Sequence, residues 1–211
     1  MTGYRFDTNK AVRHLVRKDP VLGRFIKSYG PFNQKLTREA DLFLSLSRAI
    51  VYQQLSGKAA QTIYGRFEGL FKDKPNATDT LAMAVPDLRA VGLSNNKALA
   101  VLDLAAKSTA GELPSRRKIL RMADDAVLEA LCQVRGIGPW TAQMYLMFNL
   151  GRPDVMPATD LGVQKGLMGL LGLDELPSPD QLSVHAEIWR PYRTVASWYL
   201  WRVADTRLMA D

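Results

Sequence analysis

Apolar residues recur at steps of three and four along almost the whole chain, and this spacing limits the fold more than any other sequence feature. Such spacing places apolar side chains on one face of an α-helix. The clearest run is 39–71, which we divide near Ser56-Gly57 because this pair can end one helix and cap the next. Further breaks are predicted at Asp19-Pro20 and Gly92, with Ser94 as a cap. No convincing stretch alternates as a strand does, so we predict an all-α protein.

The charge of the chain favours a polyanionic partner. Its 211 residues carry a formal net charge of +7, and nucleic acid is the foremost partner for such a surface. From charge alone, a basic protein without such a partner is an equally good interpretation. No stretch approaches the ~20 apolar residues of a membrane helix, and the first ten residues lack the apolar core of a signal peptide. We therefore expect an intracellular protein with no membrane association.

The cysteine and histidine content excludes several metal centres. Cys132 is the single cysteine, so neither an internal disulfide nor a four-cysteine metal site can form. His14 and His185 are the only histidines, which makes zinc chemistry a poor hypothesis. The sequence therefore offers no side-chain set for a zinc or iron–sulfur centre.

Residues 134–142, VRGIGPWTA, lie between two apolar segments that are predicted to be helical. Gly136 and Gly138 lack a Cβ, so the chain can turn sharply there and approach another surface closely. Pro139 suits the first position of the next helix, whose leading amides then form an anion site. A DNA phosphate fits such a site and carries no sequence information. On the glycines alone, however, a plain connector between two helices is the better interpretation.

Other segments accompany this hairpin in a fixed order. Together with RGIGPWTA, they resemble the helix-hairpin-helix superfamily of DNA glycosylases, and within it the 3-methyladenine DNA glycosylase II (AlkA-like) branch. The resemblance extends from about residue 10 to about residue 205. The segments are NKAVRHLVRKDPVLGRFIKSYGPF at 9–32, RAIVYQQLSGKAA at 48–60, VGLSNNKALAVLDLA at 91–105, MPATD at 156–160 and WRPYRTVASWYLWR at 189–202.

The resemblance implies a two-lobed helical architecture with the active site in the cleft between the lobes. The middle lobe would comprise about 45–130. The second lobe would be built from about 1–44 packed with about 131–211. We also expect a monomer.

The resemblance also implies that Asp160 is the catalytic residue. Cleavage of an N-glycosidic bond develops positive charge at the sugar C1′, which a nearby carboxylate stabilises while it orients or deprotonates water. Ordinary glycosidases need a second carboxyl group to protonate the leaving oxygen. A purine alkylated at N3 or N7 is already cationic and departs neutral, so one carboxylate can be enough. The alternative role for Asp160 is a simple helix N-cap.

A target base inside a duplex has to be flipped out, and the gap that it leaves needs a plug. Gln54, with Leu55 beside it, resembles the inserted residue of the family, although two glutamines at an exposed helix end would have the same sequence. A flipped cationic base favours electron-rich rings. The implied base pocket contains Trp140, Trp201, Met144 and Tyr145, with Met144 where better-known members carry an aromatic residue.

The hairpin of the family binds a DNA phosphate and a cation. By position, the phosphate-binding residues are Gly136, Ile137, Gly138, Trp140 and Thr141. A sodium, potassium or magnesium ion would be held by the backbone carbonyls of Cys132, Val134 and Ile137. The resemblance implies no cofactor for the chemistry itself.

Two absences select a branch of the superfamily. Members that also cut the strand carry a lysine where this chain has Trp140, and no lysine lies between Ile119 and Lys165. The cysteine content likewise disfavours an adenine- or thymine-mismatch glycosylase. We therefore predict a monofunctional glycosylase that hydrolyses alkylated purines out of double-stranded DNA and leaves an abasic site. It would work in the nucleoid of a bacterium or the nucleus of a eukaryote; the alternative is a non-catalytic DNA-binding module.

Overall fold

The structure is a computed structural model that describes residues 3–37, 39 and 41–208. Within these residues the chain is helical and contains no strand, which confirms the predicted all-α class. A 3-10 helix, Ala186–Trp189, lies between the last two α-helices. The α-helices are α1 (Thr8–Lys18), α2 (Pro20–Tyr29), α3 (Leu42–Tyr52), α4 (Gly57–Glu68), α5 (Ala77–Leu81), α6 (Val85–Ala90), α7 (Asn95–Thr109), α8 (Arg116–Ile119), α9 (Asp124–Cys132), α10 (Pro139–Phe148), α11 (Leu161–Leu171), α12 (Pro179–His185) and α13 (Arg193–Leu208).

Short polar side chains begin these helices at the breaks that the sequence predicts. Asp19 accepts hydrogen bonds from the amides at the start of α2, and Ser56 and Ser94 do the same for α4 and α7. Gly92 has a φ of +103°, which a glycine adopts at no steric cost, and it ends the turn before Ser94. Pro139 opens α10, as predicted.

The chain divides into two compact units. The middle unit is Arg38–Ala142, and the terminal unit combines Met1–Thr37 with Gln143–Asp211. The division falls within α10 and differs from the predicted limit near residue 130, because the hairpin belongs to the middle unit. Hydrogen bonds from Gln53 to Gly136 and Thr141 tie the hairpin to that unit.

The core of the terminal unit forms where α11 packs against α13. Gly166 lies directly against the backbone of Leu200, so a side chain at this position would collide with α13. Buried Leu15 and Leu22 from the first two helices join this core, as does Trp189. These contacts place the beginning of α11 beside the second half of α13, and this positions the residues described below.

The core of the middle unit is built around α3 and α7. The apolar face of α3 buries Leu46 and Ile50, and α4 contributes buried Phe67. Leu104 on α7 and Leu131 on α9 are also fully buried. No helix in the described part of the chain is both long and apolar enough to cross a membrane.

Candidate functional site

The hairpin, residues 134–138, joins α9 to α10 through a tight turn in which Ile137 donates its amide to the carbonyl of Val134 at 3.0 Å. Gly136 has a φ of +77°, and an added Cβ there would lie 3.2 Å from the Cβ of Ala100. Gly138, by contrast, has open space around the Cβ position. The two glycines therefore differ: Gly136 is required by the turn and its packing, whereas Gly138 leaves an exposed backbone surface.

The start of α10 follows directly after this exposed surface. The amide of Ala142 donates to the carbonyl of Gly138 at 3.1 Å, and Pro139, the first residue of the helix, has no amide proton. Among the predicted phosphate-binding residues, Gly136, Gly138 and Trp140 are exposed. The side chains of Ile137 and Thr141 are buried, so any contact from these two residues would use the backbone.

Side chains of the middle unit hold the hairpin in place. The amide group of Gln53 donates to the carbonyl of Gly136 at 2.9 Å and to the hydroxyl of Thr141 at 3.2 Å. Asp103 on α7 accepts the backbone amide of Arg135 at 2.8 Å. Burial acts to raise the pKa of Asp103, but hydrogen bonds from Arg135 and Lys107 outweigh it and hold that pKa below its usual range.

The loop between α3 and α4, residues 53–56, carries the predicted inserting residues; we call it the insertion loop. Gln54 is exposed and has a φ of +57°, the one non-glycine residue with a positive φ in the described part of the chain. Leu55 is 37% exposed, which is high for leucine. An exposed non-glycine residue in the left-handed region is an energetically unfavourable arrangement that surrounding contacts must maintain.

Asp160 and its neighbours form the second group of functional residues, in the terminal unit. Asp160 is the N-cap of α11, and its Oδ1 accepts the amide of Val163 at 2.8 Å. The same oxygen accepts the indole N–H of Trp201 at 2.8 Å. Both proposed roles of Asp160 are therefore compatible: the residue caps a helix, and two donors from different helices fix the orientation of its half-buried carboxylate.

Gly162 makes this carboxylate–indole pair possible. A Cβ at position 162 would lie 2.8 Å from Cδ1 of Trp201 and 3.1 Å from Oδ1 of Asp160. A side chain there would push the indole away from the carboxylate, since the Cδ1 distance is shorter than real Cβ contacts allow. The Trp201 ring also packs at a tilt against Phe148, with ring centroids 5.9 Å apart.

The remaining predicted pocket residues lie in different environments. Trp140, in the middle unit, is 44% exposed. Met144 and Tyr145 follow on the part of α10 that belongs to the terminal unit. Met144 is half-buried, and Tyr145 is only 4% exposed. Tyr145 is thus a core residue in this structure, and its place in a base pocket stays a prediction.

The loop that leads to Asp160 is held by α13. Arg193 forms a bidentate ion pair with Asp154, at 2.8 and 3.1 Å. Thr194 donates its hydroxyl to the carbonyl of Arg152 and accepts the amide of Val155. These contacts anchor the loop to the helix that carries Trp201, so the carboxylate and the indole are positioned by the same element.

Local sequence patterns do not point to several of these supporting residues. Gln53 could be suspected only from its position next to Gln54, and Asp103 looks like one more charge on a helix. Gly162 follows Asp160 closely, but a glycine in a helix has many explanations. Each of these residues acts on a partner far away in the sequence or on another helix, which local patterns do not record.

Comparison with known proteins relates most of the chain to one class of repair protein. Residues 47–191 match the family described as HhH-GPD superfamily base excision DNA repair protein. DNA-3-methyladenine glycosylase 1 of Schizosaccharomyces pombe is 34% identical over 198 residues, which cover 92% of this chain and 87% of the relative.

Two solved structures have the same fold over nearly the whole chain. One is the Schizosaccharomyces pombe 3-methyladenine DNA glycosylase in complex with abasic DNA, with a TM-score of 0.83 and 34% identity, covering 92% of this chain and 95% of that one. The other is a DNA-3-methyladenine glycosidase from Bacillus halodurans, with a TM-score of 0.84 and 35% identity, covering 94% of this chain and 91% of that one.

Proposed function

Because the chain belongs to the HhH-GPD superfamily of base excision DNA repair proteins, we propose that it is a DNA glycosylase that excises alkylated bases from duplex DNA. The similarity to proteins named 3-methyladenine DNA glycosylase covers almost the full length and supports this activity, in agreement with the sequence-based prediction. One of these relatives was solved with abasic DNA, which is the product expected when a glycosylase releases a base.

The observation that carries the proposal is the Asp160–Trp201 pair. Loss of the base leaves positive charge at C1′, and a preorganised carboxylate stabilises that charge at no cost of reorganisation. The donors from Val163 and Trp201 hold Oδ1 in a fixed direction. From that position Asp160 also orients or deprotonates the water that attacks C1′.

One carboxylate can be enough to release an alkylated purine. A 3-methyladenine or 7-methylguanine base carries a positive charge and leaves as a neutral molecule, so the enzyme does not have to supply a proton. The half-buried Trp201 ring suits contact with a cationic base. Normal purines are uncharged and leave slowly without a general acid, which provides discrimination.

The middle unit supplies the sequence-independent contacts. The hairpin amides and the positive end of the α10 dipole bind a phosphate, which positions the protein without reading bases. Gln54 and Leu55 fill the gap in the duplex when the damaged nucleotide is flipped. The net charge of +7 attracts the duplex before these contacts form.

We further infer that the enzyme is monofunctional. Trp140 stands where strand-cutting relatives carry a lysine, so no amine is supplied at that position to form a Schiff base with C1′. Borohydride added during turnover should therefore trap no covalent enzyme–DNA adduct, and the product strand should stay intact until treated with alkali. A trapped adduct, together with cleavage that survives further purification, would show that another amine acts.

The hairpin is also a suitable place for a cation. Carbonyl oxygens are ligands for hard cations, and each has two lone pairs, so the carbonyl of Val134 can bind an ion while it accepts the amide of Ile137. With Cys132 and Ile137, it would hold sodium, potassium or magnesium and strengthen the phosphate contact. No cofactor is proposed for the chemistry. The protein would act as a monomer on double-stranded DNA, in the nucleoid or the nucleus.

The direct test is release of bases from methylated duplex DNA, with the products separated by chromatography. We expect 3-methyladenine and 7-methylguanine from the wild-type protein and neither from Asp160→Asn. A wild-type protein that binds duplex DNA but releases no base would overturn the enzymatic proposal in favour of a non-catalytic DNA-binding module.

A further inference from the structure

We propose that Gln53 and Lys97 are positioning residues that bind the insertion loop to the hairpin. The loop that enters the duplex and the turn that binds a phosphate are thereby held in a fixed position relative to each other. This inference rests on the proposed function, because it concerns the residues that support the insertion loop and the hairpin, which are proposed to contact DNA. Neither residue was expected from the sequence to have a functional role.

Lys97, on α7, binds the last carbonyl groups of α3. Its ammonium group donates to the carbonyl of Val51 and to the carbonyl of Gln53, both at 2.7 Å. The last carbonyls of a helix have no partner within the helix, and a cation there also interacts favourably with the helix dipole. Burial lowers the pKa of this half-buried lysine, consistent with a group removed from water to serve the fold.

These two bonds bear directly on the conformation of Gln54. A φ of +57° is unfavourable for glutamine and persists only where neighbouring contacts impose it. On one side, Lys97 holds the carbonyl of Gln53. On the other side, Ser56 is fixed as the N-cap of α4. The chain between them has little freedom, so Gln54 is presented outward in advance of DNA binding.

The side chain of Gln53 extends this support to the hairpin. Its amide nitrogen reaches the carbonyl of Gly136 and the hydroxyl of Thr141, 83 and 88 residues away in the sequence. One residue thus has its backbone held by Lys97 and its side chain bound to the phosphate-binding turn. Fixing these two contact regions relative to each other reduces the ordering that DNA binding would otherwise require.

The experiment compares Lys97→Met with Lys72→Met, which removes an equal charge from an exposed position in the same unit. Each protein is titrated into an intact duplex and into a duplex with an abasic-site analogue flanked by 2-aminopurine. Fluorescence of the 2-aminopurine reports unstacking by the inserted loop. For Lys97→Met, we expect the preference for the abasic duplex to fall about tenfold, together with the fluorescence change. For Lys72→Met, we expect the preference to be retained.

Gln53→Met provides a second, independent variant, because this half-exposed side chain can change without opening the core. It should also reduce the preference for the abasic duplex. The double variant should lose less than the product of the two single losses, since both residues support one loop. A folded Lys97→Met or Gln53→Met protein with an unchanged preference would overturn the inference, and so would an equal loss of affinity for both duplexes.

This readout separates the inference from the proposed function. The abasic analogue has no base to release, so insertion is measured without any glycosylase chemistry. If the wild-type protein releases no alkylated base but inserts into the abasic duplex, the proposed activity fails while the positioning roles remain testable. If base release is normal and the variants insert normally, the activity stands and the positioning roles are wrong.

Discussion

Two regions of the molecule use their side chains in opposite ways. The first comprises the hairpin and the insertion loop, and the second is the Asp160–Trp201 pair. In the middle unit the proposed contact groups are the backbone around the exposed Gly138 and the exposed side chain of Gln54, and the half-buried Gln53 and Lys97 support them. In the terminal unit the group offered is itself a half-buried side chain, held by an indole and a backbone amide.

This difference indicates a division of labour. Backbone amides recognise any phosphate, so the hairpin should govern affinity for all duplexes alike. The insertion loop, in contrast, should govern the preference for a duplex with a gap. A carboxylate in a fixed direction is useful only when charge develops near it, so the second region should govern the chemical step. Substitutions in the two regions are therefore expected to separate binding from excision.

The largest effect is expected for Asp160→Asn. Asparagine is as good an N-cap as aspartate and retains an oxygen that can accept from Val163 and Trp201, so folding should be preserved. Loss of the negative charge should lower single-turnover excision about a hundredfold or more while DNA affinity stays unchanged. Asp180→Asn, at an exposed position on α12, is the matched control. Near-normal excision by Asp160→Asn would reduce Asp160 to a helix cap.

Gly162→Ala tests whether the indole has to stay on the carboxylate. The added methyl group would lie 2.8 Å from Cδ1 of Trp201 and would displace the ring. We expect excision to fall between about tenfold and a hundredfold, with unchanged affinity for undamaged duplex. Gly65→Ala is the control, because it adds the same methyl group to helix α4 with nothing within 4 Å. Equal activities for the two variants would contradict the role assigned to Trp201.

Gly138→Arg should weaken binding, although it adds a positive charge. The position has open space in the protein, so the side chain is accommodated but blocks close approach of a phosphate. Affinities for damaged and undamaged duplexes, measured by fluorescence anisotropy at one salt concentration, should fall by a similar factor of about ten. An unchanged or higher affinity in the folded variant would leave the hairpin as a connector only.

Gly136→Ala sharpens this comparison of the two glycines. Its φ of +77° and the 3.2 Å approach to Ala100 predict a loss of stability of about 1–2 kcal/mol, visible as a lower melting temperature. Gly138→Arg should leave the melting temperature almost unchanged. If Gly138→Arg were the less stable of the two, the distinction between a turn glycine and a surface glycine would be wrong.

The smallest effect on excision is expected for Asp19→Asn, which changes stability instead. Burial acts to raise the pKa of Asp19, but the neighbouring His185 ring, the Trp189 indole and the amides of Leu22 and Val21 lower it from 3.8 to about 2. A lowered folded-state pKa stabilises the protein above the unfolded-state value, and this contribution disappears as the pH falls from about 4 to about 2.

We therefore expect urea unfolding at neutral pH to show Asp19→Asn less stable than wild type by about 2 kcal/mol. The difference should shrink towards pH 2, where the wild-type carboxyl group becomes protonated. Excision at neutral pH should be unaffected while both proteins are folded. Two stability curves that run parallel over this pH range would show that the charge of Asp19 contributes nothing.

The sequence by itself determined the local structure and the family. The three- and four-residue spacing predicted an all-α chain, and the structure confirms it. Caps at Ser56 and Ser94 and the start of α10 at Pro139 were also predicted correctly, because capping depends on residues within one turn of each other. The hairpin and the MPATD segment predicted the superfamily, which the family match confirms.

Only the tertiary structure decided which side chains meet. Gln53 reaches Gly136 across 83 positions, and Trp201 reaches Asp160 across 41. The structure also assigned the hairpin to the middle unit and showed that Gly136 has a positive φ and close packing, whereas Gly138 has open space around it. These features depend on which faces of distant helices pack together, and helical periodicity specifies that a face is apolar without specifying its partner.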